Sequence, residues 1–229
     1  MTTQLELPQR DAAYTTPRPD VFALVPAGAE RILDIGCSNG ELGASLRRAR
    51  AGRSVVGVEL DPLFASQAGA RLDHVLCTDV NQMDWDALAP GMAFDCIIFA
   101  DVLEHLNQPR HHLEQALRRL RAGGCIVMSL PNIRHVSAFW AIFVGGRFPQ
   151  RERGIFDSTH LRWFTIADAR RMAAAAGLRI DAASYALRLG DQGGGRWNRL
   201  LNRLPRGVQS WFLVRELLTY QFCLRLVAA

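Results

Sequence analysis

Ile32–Leu42 reads ILDIGCSNGEL. Three apolar residues and an acid, Asp34, lead into a turn with Gly36 and Gly40, and a helix-forming stretch follows. A strand, a glycine turn and a helix in that order form the junction at which nucleotide-like ligands meet bare backbone and a helix N-terminus. Here Ser38 stands at the middle glycine position, so the ligand is not obvious from the loop alone.

A dinucleotide site asks for G-x-G-x-x-G, because the pyrophosphate must approach backbone directly. The spacing here is Asp34-x-Gly36-x-Ser38-x-Gly40, and the last dinucleotide glycine is missing. An acid at the strand end is a poor neighbour for two phosphates. It suits a ligand without phosphate that carries positive groups, such as S-adenosylmethionine (SAM), with its sulfonium and ammonium. Glu59 closes the next apolar run, SVVGVEL, where a carboxylate can accept from both ribose hydroxyls. Asp79, after the third run, is placed to accept from an adenine amino group, and Asp101 follows the fourth. Each acid alone also reads as a loop or capping residue. Together, four acids at four successive strand ends line the crevice where open α/β sheets bind ligands.

The wider pattern supports such a sheet. Apolar runs at 32–35, 54–60, 74–77, 94–100 and 125–130 alternate with helical stretches at 40–50, 62–72, 84–89 and 109–121. This is a βαβ series, predicting an α/β fold with a mostly parallel sheet and helices on both faces. SVVGVEL and FDCIIFA are nearly continuous in apolar residues, as strands buried on both sides are. Thr165 and Asp168 form a capping box for a helix over 165–177, which Gly177 ends. A strand over LRIDAASYALR follows, then GDQGGGR, a basic amphipathic piece at 196–215 and a last strand-like run at 217–227. Nothing resembles a linker, so the chain reads as one unit over 1–229. Within it, 1–30 forms an N-terminal helical cap, 131–163 an insertion after the fifth strand and 190–216 a basic helical insertion.

The 229 residues suffice for one sizeable core. No apolar run is long enough to cross a bilayer, and the N-terminus lacks the pattern of a signal peptide. The five cysteines are odd in number, scattered and without a C-x-x-C pair, which argues against both a disulfide framework and a zinc site. A reducing, cytoplasmic setting follows. The net charge is +5, and all 27 basic residues are arginine. That surplus is too modest to imply nucleic acid as partner, although 147–171 and 196–206 are locally basic.

The motif at 34–40 with Glu59, Asp79 and the block FDCIIFADVLEHL…LRAGGCIVMSLPN resembles the class I SAM-dependent methyltransferases. More narrowly it is similar to bacterial small-molecule methyltransferases, including ubiquinone-pathway O-methyltransferases and those encoded with polysaccharide-assembly genes. The resemblance implies a Rossmann-like, seven-stranded sheet whose last strand is antiparallel and lies beside the fifth. It implies SAM as cofactor, with S-adenosylhomocysteine as product. It places Asp34, Gly36, Cys37, Ser38 and Gly40 against the methionine half, Glu59 and Leu60 at the ribose, and Asp79 and Val80 at the adenine. Asp101 stands at the rim, with Tyr14 and Arg18 closing over the cofactor or serving as ordinary surface residues.

Methyl transfer to a hydroxyl is aided by a base within reach of its proton. The candidates are His105, just past the fourth strand, and His160 in DSTHLRW, which Asp157 is placed to orient. A structural role is the competing reading for both. Arg134 and Arg147 are candidates for an acidic group on the acceptor and Trp163 for an apolar wall. VSAFWAIFVGG at 136–146 reads best as a lid helix with its apolar face against the sheet. The 196–215 stretch either lies on a membrane surface or, in the preferred reading, packs as two short helices. The expected acceptor is a small molecule or a glycan- or lipid-type group whose oxygen attacks the methyl carbon. The alternatives are a SAM-binding protein without catalysis or, with less support, an NAD-dependent oxidoreductase. No metal is expected, and peripheral membrane contact stays open, as does the oligomeric state.

Overall fold

A computed structural model describes residues 17–88, 91–190, 195–209 and 211–229. In chain order the elements are α1 (Pro19–Phe22), β1 (Arg31–Ile35), α2 (Glu41–Ala49), β2 (Ser54–Glu59), α3 (Pro62–Gly69), β3 (His74–Cys77) and β4 (Phe94–Ala100). There follow α4 (Pro109–Arg118), β5 (Leu120–Pro131), α5 (Val136–Phe139), α6 (Ile166–Ala175), β6 (Leu178–Leu187), α7 (Gly195–Leu201), α8 (Arg206–Gln209), α9 (Phe212–Leu218) and β7 (Thr219–Ala228).

The strands form one sheet in the order β3-β2-β1-β4-β5-β7-β6. β1 to β5 pair in parallel, while β7 runs antiparallel to both β5 and β6. The seven-stranded sheet and its reversed last strand beside the fifth are as expected from the sequence.

Side chains alternate across each strand, so one sheet supplies two cores. Leu33, Ile35, Val56, Val58, Ile97 and Phe99 point to one face. Ile32, Val55, Cys96, Ile98, Cys125 and Val127 point to the other. Helix starts are chemically fixed. Asp61 caps α3 by accepting from Leu63 N at 2.8 Å, with Pro62 at the first helical position. Thr165 and Asp168 form the expected capping box on α6.

Three expectations need correction. The 84–89 stretch is not a helix over its described residues, 84–88: a 3₁₀ turn at Val80–Gln82 and a turn after Asp84 take its place. Asp79 accepts from Asn81 N and Asp84 from Asp86 N, so the aspartates satisfy the local amides that a helix would need. The 136–146 segment buries only a narrow apolar strip: Ala138 is buried, and half-buried Ala141 and Ile142 pack with it against Ile155, Phe156 and Tyr220. It is one turn of α-helix continued by a π turn over Trp140–Val144 and stopped at Gly145, with Ala138 as its buried side chain. Phe139, Trp140, Phe143 and Val144 are exposed. The 196–215 stretch forms α7, α8 and the start of α9 rather than two helices, and α7 has no buried residue.

The reversed strand brings the ends of β5 and β6 to the start of β7. Asn132, fully buried after β5, ties this junction together. Its Nδ2 donates to the carbonyls of Glu216 and Thr219, both at 2.9 Å, and its backbone N donates to Tyr220 O. Replacing Asn132 by Ala leaves two buried carbonyls without a donor. That substitution is expected to cost about 2 kcal/mol, read as a lower midpoint with unchanged slope in urea denaturation. A midpoint equal to wild type would contradict this assignment.

Candidate active site

The β1 end turns on three left-handed residues. Gly36 has φ 71°, Ser38 φ 50° and Gly40 φ 80°. The amides of Gly36 and Cys37 both donate to Val58 O, at 2.8 and 3.0 Å, which fastens the loop to β2. A Cβ on Gly36 would lie 2.4 Å from Val102 Cγ2, so only glycine fits. Ser38 accepts a conformation costing about 1 kcal/mol for a residue with a Cβ, and its amide donates to Glu59 Oε2 at 2.7 Å. Cys37 is buried against β2, where its Sγ faces Gly57.

Asp34 is the unusual group. It is 1% exposed, and neither carboxylate oxygen has a hydrogen-bond partner among the described residues. Burial, reinforced by the nearby Glu59, pushes its pKa up to about 7. An uncompensated acid beneath a glycine loop is a site waiting for a cation or a strong donor. Two phosphates placed there would compound the repulsion. The residues present therefore fit SAM and disfavour a dinucleotide.

Glu59 already holds part of the loop. Besides Ser38 N, its Oε1 accepts from Leu60 N and Asp61 N, each at 3.0 Å. Leu60 itself is exposed. Asp79 accepts from Asn81 N, Asn81 Nδ2 and Gln82 Nε2, and Val80 is buried beneath it. Asn81 Oδ1 in turn accepts from Asn107 N at 2.8 Å, linking this loop to the one after β4.

At the β4 end Asp101 also adopts a positive φ, 58°. Its carboxylate receives Arg18 Nη1 at 2.6 Å, Ser129 Oγ at 2.7 Å and Gln221 Nε2 at 2.5 Å. Arg18 also donates to Asp20 and to Ser129 Oγ. Burial opposes the guanidinium charge, but Asp101 and Asp20 outweigh it and raise the pKa of Arg18 further. Arg18 thus clamps the N-terminal segment to the ends of β4 and β5. Tyr14 lies outside the described residues.

The two histidines come together although 55 residues separate them. The rings of His105 and His160 meet edge to face, 4.7 Å between centroids. His105 Nδ1 lies 3.2 Å from Thr159 O, and His160 Nδ1 lies 3.3 Å from Ile155 O. A carbonyl only accepts, so each Nδ1 carries the proton and each Nε2 keeps its lone pair. Burial, then the neighbouring His105, holds the pKa of His160 below the usual histidine value. Asp157 does not orient His160 through its carboxylate. Its Oδ1 instead accepts from Thr159 N and Oγ1, at 2.9 and 2.6 Å, because the turn directs the shorter reach to Thr159. Asp157 thereby fixes the residue on which His105 leans.

Sequence reasoning missed Glu104, which lies between the β4 loop and the histidine pair. It is buried, its Oε2 has no partner among the described residues, and its Oε1 lies 3.9 Å from His160 Nε2. Burial, then Asp101, raises its pKa well above the ordinary carboxylate range. Ligand atoms of Glu104, His105 and His160 all lie within 4.8 Å of one another. That spacing is open to a shared cation, which a search for paired cysteines does not detect. The signal was the ordinary-looking Glu-His pair in LEHL.

The acceptor residues expected from the sequence are dispersed. Arg134 pairs with Glu216 at 3.2 Å and stacks over Phe212, 5.5 Å from the ring centroid. Arg147 is exposed. Trp163 donates from Nε1 to Ile155 O at 3.0 Å and meets Phe148 edge to face. It thus shares the Ile155 carbonyl with His160 and is the one of the three built into the histidine turn.

A methyltransferase domain model matches residues 9–183. The ubiquinone biosynthesis O-methyltransferase of Cereibacter sphaeroides is 32% identical over 139 residues, covering 58% of this chain and 53% of that protein. Its counterpart in Thiobacillus denitrificans is 27% identical over 165 residues, covering 68% of this chain and 67% of that one. The chain spans about half the length of the first of these relatives. Among solved structures, magnesium protoporphyrin IX methyltransferase from Synechocystis PCC 6803 superposes with a TM-score of 0.61 at 17% identity. The match covers 100% of this chain and 90% of that one, a likeness of fold. The chain belongs to the methyltransferase domain family.

The raised pKa of Asp34 has a direct consequence. A carboxyl whose folded pKa lies above its unfolded value near 4 adds stability that is complete below about pH 4. That stability is lost as pH rises through about 7. Asp34→Asn should therefore melt above the wild type at pH 8 without ligand, and the two should converge near pH 4. The gap has an upper size of about 4 kcal/mol, three units at 1.4 kcal/mol each. SAM should narrow it, because a bound cation compensates only the ionised acid. Melting curves at the two pH values decide; a gap independent of pH would refute the assignment.

Proposed function

We propose that this chain transfers a methyl group from SAM to an oxygen of a small-molecule or glycan- or lipid-type acceptor. The observation that carries the reading is the His105–His160 pair. Both imidazoles are held by backbone carbonyls with Nε2 available, next to the β4 end of the cofactor crevice. The names of the curated relatives, O-methyltransferases of ubiquinone biosynthesis, support oxygen as the acceptor atom.

When bound, SAM supplies a sulfonium-activated methyl for in-line displacement. The role of the chain's own residues is to hold and to move a proton. Asp34 offers a carboxylate to the cofactor's positive end, Glu59 a hydrogen-bond acceptor to its ribose, and Asp79 with Val80 the adenine edge and floor. Arg18 fixes Asp101, so the rim acid stays out of the reacting space. His160 Nε2 accepts the hydroxyl proton, and its depressed pKa keeps it neutral and able to do so at neutral pH. Burial lowers this pKa first, His105 beside the ring lowers it further, and His105 offers a second acceptor. Trp163 braces the turn that carries His160. Segment 131–163 covers the acceptor.

A specific arrangement favours a second route to the same product. Glu104, His105 and His160 are spaced to share a divalent cation, which would acidify a coordinated acceptor hydroxyl. Activity abolished by EDTA and restored by Mg²⁺ selects this route, and activity indifferent to chelation selects the base.

Release of S-adenosylhomocysteine over a panel of hydroxylated small molecules is the primary assay. Saturating SAM should raise the melting temperature, and Glu59→Ala should remove most of that shift. No shift at millimolar SAM would overturn the cofactor assignment. A shift without turnover on any acceptor would leave a SAM-binding protein. His160→Asn should lower kcat by about 100-fold with SAM affinity unchanged. The rate should rise with pH along a limb below the ordinary histidine pKa. His105→Gln removes a neighbour whose charge depresses His160, so the limb should move to higher pH. A limb that stays in place would remove His160 as the base.

A further inference from the structure

Two segments, 132–164 and 188–218, leave the sheet at the end where the cofactor loop lies. They carry eleven arginines and four acids. Their surplus of seven positive charges exceeds the net +5 of the whole chain, so the remainder is negative by two. The same segments expose aromatic residues that a soluble surface seldom leaves uncovered. Phe143 is 74% exposed, Trp211 70% and Trp140 58%. Neither the π turn nor α7 has a fully buried residue.

The two segments are fastened to each other. Arg134 bridges to Glu216 and stacks on Phe212, and His135 Nε2 donates to Arg188 O at 3.0 Å. Asn202 holds α7 to the backbone of Leu187 at the end of β6. Beside it is a concavity of about 480 Å³ whose rim includes Arg188, Arg199 and Arg203. No acid pairs with these three arginines among the described residues.

We propose that this face docks on an anionic lipid bilayer. Aromatic side chains on short helices enter the headgroup region, while the arginines meet lipid phosphates, with the concavity by α7 seating a headgroup. No helix among the described residues is long and apolar enough to cross a membrane, so the contact lies in the interface plane. A protein partner with an acidic surface would use the arginines, but it would leave the scattered aromatics without a matched pocket. A bilayer needs no such match. Resting on the methyl-transfer reading, docking would place the cofactor end of the sheet toward the membrane, so the acceptor is an amphipathic molecule drawn from the bilayer.

The test is co-sedimentation of the full chain with vesicles. One set is phosphatidylcholine alone, and the other contains about one-third phosphatidylglycerol. The expected result is binding to the anionic set at least tenfold tighter, weakened by raising salt toward about 1 M. Arg199→Glu with Arg203→Glu, and separately Trp140→Ser with Phe143→Ser, should each reduce binding tenfold or more. Both variants should keep the wild-type melting temperature and its SAM-induced shift. Equal binding to the two vesicle sets, no binding to either, or variants that bind as wild type overturn the proposal. So does a dimer in analytical ultracentrifugation that the variants dissociate while vesicles stay unbound. Vesicle binding without a SAM shift would keep the docking face and remove the methyl-transfer reading; a SAM shift without vesicle binding would do the reverse.

Discussion

The antiparallel course of β7 between β5 and β6 is the constraint from which the rest of the site follows. A strand reversed at that place starts where its two neighbours end. Both long connections, from β5 to α6 and from β6 to β7, must therefore open at the carboxyl ends of the parallel strands. That end also holds the glycine loop after β1. The reversal further brings Gln221, paired with Pro131 in register, to the carboxylate of Asp101 just after β4. One strand thus delivers the substrate-side segments and closes the polar network at the crevice rim.

The rim gathers more acids than an apolar sheet end tolerates, and the fold treats each differently. Glu59 is matched by three backbone amides. Asp101 is matched by a guanidinium, a hydroxyl and an amide. Asp34 is buried with neither oxygen hydrogen-bonded and Glu104 is buried with Oε2 unpartnered among the described residues, and in both the charged form is the one that suffers. Matched acids serve the architecture. The unmatched ones mark where a ligand or proton is to be supplied from outside, Asp34 beneath the loop and Glu104 beneath the histidines.

The fold was legible because its signals are local. The strand runs, the Asp61 and Thr165 caps and the glycine spacing each act within a few residues, and they sum to the observed sheet. The cofactor loop was legible for the same reason. The misreadings share a physical cause. Asp79 and Asp84 satisfied amides at 79–86 and cancelled a helix that composition favoured. VSAFWAIFVGG has a helical apolar stripe, but only its small side, Ala138, Ala141 and Ile142, finds a surface, on Ile155, Phe156 and Tyr220, while Phe139, Trp140 and Phe143 stay exposed. The Glu104–His105–His160 cluster depends on a turn 55 residues away, held by the carbonyls of Ile155 and Thr159. No spacing rule encodes that contact.

The exposed stripe and the proton-handling pair now bear on each other. Phe148 meets Trp163 edge to face, Trp163 donates to Ile155 O, and the same carbonyl fixes the tautomer of His160. The aromatic segment is therefore mechanically continuous with the candidate base. Whatever covers Trp140 and Phe143 also bears on the 148–163 turn, because the backbone of Arg147 is bonded to Ala141 O across the π turn. A surface that orders this segment would order His160 with it. The histidine ring is neutral, desolvated and supported by one long hydrogen bond, so small shifts of the turn alter its reach toward an acceptor. Exposed aromatics that are costly in water are retained where covering them completes a site. In this chain the side chains that lack a protein surface to cover lead, through two shared contacts, to the nitrogen that would take the proton.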